Sequence, residues 1–183
     1  MFGHANEPVT LSRDVEAVII PAGEKLILRK DTPGFIAQSL GGSFTIYIEG
    51  NLFRISGSDA DALGKEVELP PSIPSNATSK DFEKVVWDQL KTCYDPEIPI
   101  NIVDLGLIYR CDIDVNKNGN RVINIDMTLT APGCGMGEIL VQDAKEKIAI
   151  IPTVEKVNVE LTFDPPWNQN MMSDEARLQT GLM

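Results

Sequence analysis

Pro70, Pro71 and Pro74, set among the serines that run up to Ser79, limit most strongly how this chain can fold. Proline has a fixed φ and no N–H, so neither a helix interior nor a central strand runs through such a stretch. Residues 71–78 therefore read as a linker. The 183 residues divide into a piece at 1–70 and a piece at 79–183, each of a size that a small domain takes.

The two pieces have different hydrophobic periods. In 1–70, Glu16–Ile20, Lys25–Leu28, Phe35–Leu40, Ser43–Ile48 and Leu52–Ile55 are short candidate strands separated by Gly, Pro and Asp. Gly50-Asn51 between two of them reads as a tight hairpin. This is a small β-rich module with no evident chemistry, and the chain's single histidine, His4, sits at its terminus. From Ser79 the spacing becomes helical through Phe82, Val85, Val86, Leu90 and Cys93, with Ser79 as the expected N-cap. Pro96 closes that helix. Two alternating runs follow, Leu107–Val115 and Ile123–Leu129, joined by Asn116–Asn120. Leu140, Ala144, Ile148 and Ile151 form a second helical stripe, and Val157, Val159, Leu161 and Phe163 a last strand. The class is α+β: an α-β-β-α-β two-layer domain at 79–183, with one sheet face covered by two helices, preceded by the β-rich module.

The chemistry concentrates where the second strand meets the second helix, at Thr130-Ala131-Pro132-Gly133-Cys134-Gly135-Met136-Gly137-Glu138. Cys134 is the one reactive side chain in a bare, glycine-rich turn. It lies just ahead of a helix, where unpaired N–H groups and the dipole favour a thiolate. Cys111 lies on an alternating strand and Cys93 on a helix stripe, so both read as core. Asp95, Glu97 and Asp104 cluster before the first strand, where short carboxylates serve either as turn groups or as partners facing the thiol and the hydroxyls of Thr128 and Thr130. Trp167, after Pro165-Pro166, reads either as a lid on the sheet edge or as a partner-binding surface shared with Met171 and Met172.

The rest is exclusion. A net charge of −11 argues against nucleic acid or an anionic membrane as partner. No apolar run approaches the roughly 20 residues of a membrane span. No signal peptide is visible, and three widely spaced cysteines fit reduced thiols in the cytoplasm. No histidine lies near Cys134 in sequence to make a Cys–His nucleophile, no Cys-x-x-Cys pair exists for a closed zinc site, and no Walker-type loop is present. Ordinary enzyme classes are left with little, while a metal–sulfur ligand remains.

Two stretches carry a resemblance. Thr92-Cys93-Tyr94-Asp95-Pro96-Glu97-Ile98-Pro99, continuing to Leu105-Gly106-Leu107-Ile108-Tyr109, resembles the opening motif of the small iron–sulfur assembly domain. Met127-Thr128-Leu129-Thr130-Ala131-Pro132-Gly133-Cys134 resembles its second motif. Together with Phe163-Asp164-Pro165-Pro166-Trp167, the tail Ser173–Leu182 and Gln38–Thr45, the chain is similar to the SufT-type iron–sulfur maturation proteins.

The resemblance implies an accessory role without turnover chemistry. It implies a functional site at Asp95, Glu97, Thr128, Thr130 and Cys134, and as partners an iron–sulfur scaffold or carrier and apo-client proteins. A transient iron–sulfur cluster is the cofactor expected, with Cys134 as metal ligand. One thiolate per chain cannot complete the usual four-ligand shell, so a homodimer, small thiols or a client must supply the rest. The alternative is a metal-free adaptor linking a scaffold to its clients, in which Trp167, the tail and the β-rich module carry the function.

Overall fold

The structure is a computed structural model and describes residues 7–95, 98–132 and 135–182. The chain forms two compact units, Met1–Leu69 and Pro70–Met183.

The first unit is built from β1 (Glu7–Thr10), β2 (Val15–Ile20), β3 (Lys25–Leu28), β4 (Pro33–Leu40), β5 (Ser43–Ile48) and β6 (Asn51–Ile55). They form one sheet in the order β1-β4-β5-β6-β2-β3, and every pairing in it is antiparallel. Alternation places Val15, Ala17, Ile36, Phe44, Ile46, Ile48, Phe53 and Ile55 on the buried side. A 3-10 helix at Gly57–Leu63, capped by Ser56, adds Ala60, Ala62 and Leu63 to the same core. Composition alone did not reveal β1, which is exposed along most of its length. The hairpin of β5 and β6 pairs Ile48 with Asn51, so its turn is Glu49-Gly50, one position before the expected Gly-Asn.

The second unit runs α1 (Ser79–Leu90), β7 (Ile108–Val115), β8 (Arg121–Met127), α2 (Met136–Ala149), β9 (Val154–Leu161) and α3 (Asp174–Thr180). The α-β-β-α-β order expected of this half is the order observed. Thr78, not Ser79, caps α1, because its hydroxyl and the Asp81 carboxylate three residues on satisfy each other's backbone N–H groups. The helix also stops at Leu90, well before Pro96. Strands β7 and β8 are antiparallel, β8 and β9 parallel, and α2 makes the crossover between the parallel pair. Ile123, Ile125 and Met127 of β8 face the helices, packed with Phe82, Val86 and Leu90 of α1 and Leu140, Ala144 and Ile148 of α2. The other sheet face is polar: the Asn158 side chain donates to Asn124, which donates to Asp114. Strand β9 ends at Leu161, so Phe163 lies beyond it and is 44% exposed instead of core.

Candidate functional site

Strand β8 ends where its ladder hands over to the loop before α2. The Thr128 N–H donates to the Leu107 carbonyl (2.8 Å), and the Thr162 N–H donates to Met127 (2.8 Å). The Leu129 side chain then reaches the first turn of α2. A Cβ on Gly137 would sit 2.6 Å from Leu129 Cδ1, so a bare backbone there lets the helix start this close to the strand end. Gly135 caps α2 with no side-chain hydrogen bond, and Cys134 immediately precedes it in sequence. Cys134, Glu97 and His4 lie outside the described residues.

Thr128 is 0% exposed, and its Oγ1 has no partner among the described residues. An unsatisfied buried hydroxyl costs about 1–3 kcal/mol, which a purely structural position would avoid by carrying valine. The Thr128→Val protein is therefore expected to be as stable as the wild type or up to ~1 kcal/mol more stable. A denaturant titration checks this. A marked loss of stability would show that the hydroxyl serves the fold. Thr130 follows, half-buried, at a bend.

Asp95 is 6% exposed in the loop between α1 and β7. Its Oδ1 accepts the Ile98 N–H (2.9 Å), and its own N–H donates to Ile100 (3.1 Å). Asp104 is committed to a local turn: its N–H donates to Asn101 Oδ1 (2.9 Å) and its Oδ2 accepts from Asn101 Nδ2 (2.6 Å). The segment 100–107 thus receives the Asp95 backbone at its start and the Thr128 backbone at its end, which ties two of the expected residues to one piece of chain. Sequence reasoning missed the part played by Asn101, Leu105 and Gly106. The one signal available was the glycine directly after Asp104-Leu105.

The other two cysteines pack in the core, as their periodicity implies. Cys93 is fully buried in the core beneath α1. Cys111 packs against the same core, and burial, reinforced by Asp112 and Glu83, pushes its thiol up to about 11, so it stays protonated at neutral pH.

Of the two readings of Trp167, the packing is that of a lid on the sheet edge. The Trp167 indole N–H donates to the Leu105 carbonyl (2.7 Å) and its ring packs on the core. Met172 is 3% exposed within that core, and Met171 Sδ lies 3.5 Å from the Tyr109 hydroxyl oxygen. Trp167 and Met171 are half-buried and Met172 is buried; the indole's one donor meets the Leu105 carbonyl while its apolar body packs on the core. Among the described residues no group of three or more His, Cys, Asp or Glu side chains gathers to hold a metal ion. No helix among them is long and apolar enough to cross a membrane.

Comparison with known proteins matches residues 83–161 to an iron–sulfur cluster assembly protein family. A Porphyromonas gingivalis protein named Fe-S protein maturation auxiliary factor is 43% identical over 101 residues, which cover 55% of this chain and 92% of that relative. The chain belongs to the family of Fe-S protein maturation auxiliary factors. A second maturation auxiliary factor, SufT of Staphylococcus aureus, is 40% identical over 88 residues, 48% of this chain and 96% of that one. A solved domain of unknown function from Bacillus anthracis is 34% identical, with a TM-score of 0.48, over 57% of this chain and 95% of its own. These maturation factors are covered almost end to end by about half of this chain.

Proposed function

We propose that the second unit handles an iron–sulfur cluster as cargo during the maturation of other proteins, with Cys134 as its thiolate contact. One observation carries this reading: the family match over 83–161 contains Asp95, Glu97, Thr128, Thr130 and Cys134 together. The cluster is cargo and not a resident group, because one thiolate cannot fill a four-ligand shell. A second copy of the chain, small thiols or the client complete it, and incomplete ligation keeps the cluster transferable.

Asp95, braced on the Ile98 N–H, and the Thr128 hydroxyl, which has no partner among the described residues, supply a carboxylate and a hydrogen-bond donor that the 100–107 turn ties together. No turnover chemistry is assigned to them. Partners are an upstream scaffold or carrier and apo-clients, and the reducing cytoplasm is the compartment that suits a working thiol. The metal-free adaptor reading places the function on Trp167, the tail and the β-rich module. The Trp167 indole N–H is already bonded to the Leu105 carbonyl, so in that reading the exposed Leu178 and Leu182 of the tail and the β-rich module would carry most of the contact.

The test is anaerobic activation of an apo iron–sulfur enzyme by iron, sulfide and a reducing thiol, with and without this protein. Faster activation that depends on Cys134 supports the reading. Activation that is the same with and without the protein contradicts it.

A further inference from the structure

The family match ends at residue 161, yet the chain beyond it grips the loop between α1 and β7, which carries Asp95. The Tyr109 hydroxyl donates to the Pro165 carbonyl (2.7 Å), the Trp167 indole N–H donates to Leu105 (2.7 Å), and the Ser173 N–H donates to Asp104 (2.8 Å). Between these bonds the backbone lies directly on Gly106. With φ at +74, Gly106 would place a Cβ only 2.1 Å from the Met171 carbonyl oxygen. Met172 and Ala176, both buried in the core, fasten the end of the segment.

We propose that Asp164–Ser173, anchored by Trp167, is a positioning strap that fixes Asp95 and Thr128 relative to one another. This rests on the proposed function of that site. The segment the strap grips is a wound turn. Leu105 N–H donates to Asn101, Gly106 N–H to Val103, and Leu107 N–H to Ile102. These bonds use the turn's own donors and leave the carbonyls of Asp104 and Leu105 to be met from outside, and the strap meets both. The same turn gives its Ile100 carbonyl to Asp95 and its Leu107 carbonyl to Thr128. If the strap lets go, two carbonyls lose their partners in the middle of the piece of chain that sets both site residues. Trp167, Gly106 and Ser173 are therefore positioning residues, and none of them is assigned contact with the cargo.

Trp167→Phe tests this, because it keeps an aromatic ring, though a smaller one, and deletes the donor. Site-resolved hydrogen exchange is expected to be roughly fivefold faster at the Asp95, Leu107 and Thr128 amides, the size of one lost hydrogen bond, with α1 and α2 unchanged. Client activation should fall with it. If the change stays within residues 164–176, or spreads evenly through the unit, the strap only fills the fold and the proposal is overturned.

Ser173 offers a second route should Trp167→Phe fold poorly. Its φ of −62, after an extended Met172, accepts proline. Ser173→Pro removes both the N–H to Asp104 and the hydroxyl that caps α3, whereas Ser173→Ala removes only the cap. Faster exchange at Leu107 and Thr128 in the proline variant alone supports the strap, and equal exchange in the two overturns it. If activation is lost in Asp95→Asn yet normal in a Trp167→Phe protein with fast site exchange, the strap does not serve function. If activation ignores Asp95→Asn and Cys134→Ser alike, the functional reading fails, and the exchange data alone then decide the strap.

Discussion

Phe82→Ala is expected to destabilise the second unit by about 3–5 kcal/mol, with roughly 1 kcal/mol of that from the ring's contact with a cation. Phe82 is 1% exposed on the inner face of α1, and the Arg121 guanidinium lies 4.0 Å from its ring centroid. Truncation opens a cavity between α1 and the start of β8 and removes that contact as well. Whole domains are stable by only about 5–15 kcal/mol, so the loss consumes much of the margin. At about 4–8 °C per kcal/mol for a unit of this size, the midpoint should fall by on the order of 15 °C or more. The first unit has its own buried set, from Leu11 to Leu63, and is expected to keep its melting transition. Scanning calorimetry of the full chain reads both. A single transition shifted as a whole would contradict independent cores.

Asp95→Asn is expected to slow client activation at least about tenfold while changing stability by less than ~1 kcal/mol. Asparagine keeps an Oδ1 that can accept the Ile98 N–H, so the loop brace survives. What changes is one carboxylate oxygen, replaced by an amide nitrogen. The variant thus separates the two roles that short carboxylates in such loops combine. Full activity in Asp95→Asn would reduce Asp95 to a turn group. Asp95→Ala, which also removes the brace, should lose both activity and loop order. The two variants are compared by activation rate and by exchange at the Ile98 amide.

The order of elements in the second unit was legible because its signals are local. Period changes mark α1, β7, β8, α2 and β9, and the Gly-Pro turn between β8 and α2 announces itself. The errors fell where tertiary contacts decide. Thr78 displaced Ser79 as the cap because Asp81 completes a reciprocal bond only from that register. Phe163 continues the alternation of β9 in sequence, yet the strand stops at Leu161 and leaves it exposed. For Trp167, two preceding prolines left a lid and a displayed surface open. Its destination is a carbonyl sixty-two positions earlier, which no local pattern encodes. Within the candidate site, residue types left Asp95 open as a turn group, and the resemblance of the two motifs named it and Thr128. That Oγ1 of Thr128 is buried without a partner among the described residues, and that one turn holds both residues, emerges only from the fold.

Anaerobic reconstitution with iron and sulfide, read by absorption spectra and iron content for wild type beside Cys134→Ser, tests the central claim most directly. The account predicts a sulfur-to-iron charge-transfer band in wild type that is lost in Cys134→Ser, and an iron-to-chain ratio that shows whether two chains share one cluster. An equal band in both proteins, or none in wild type, would contradict Cys134 as the thiolate that holds the cargo.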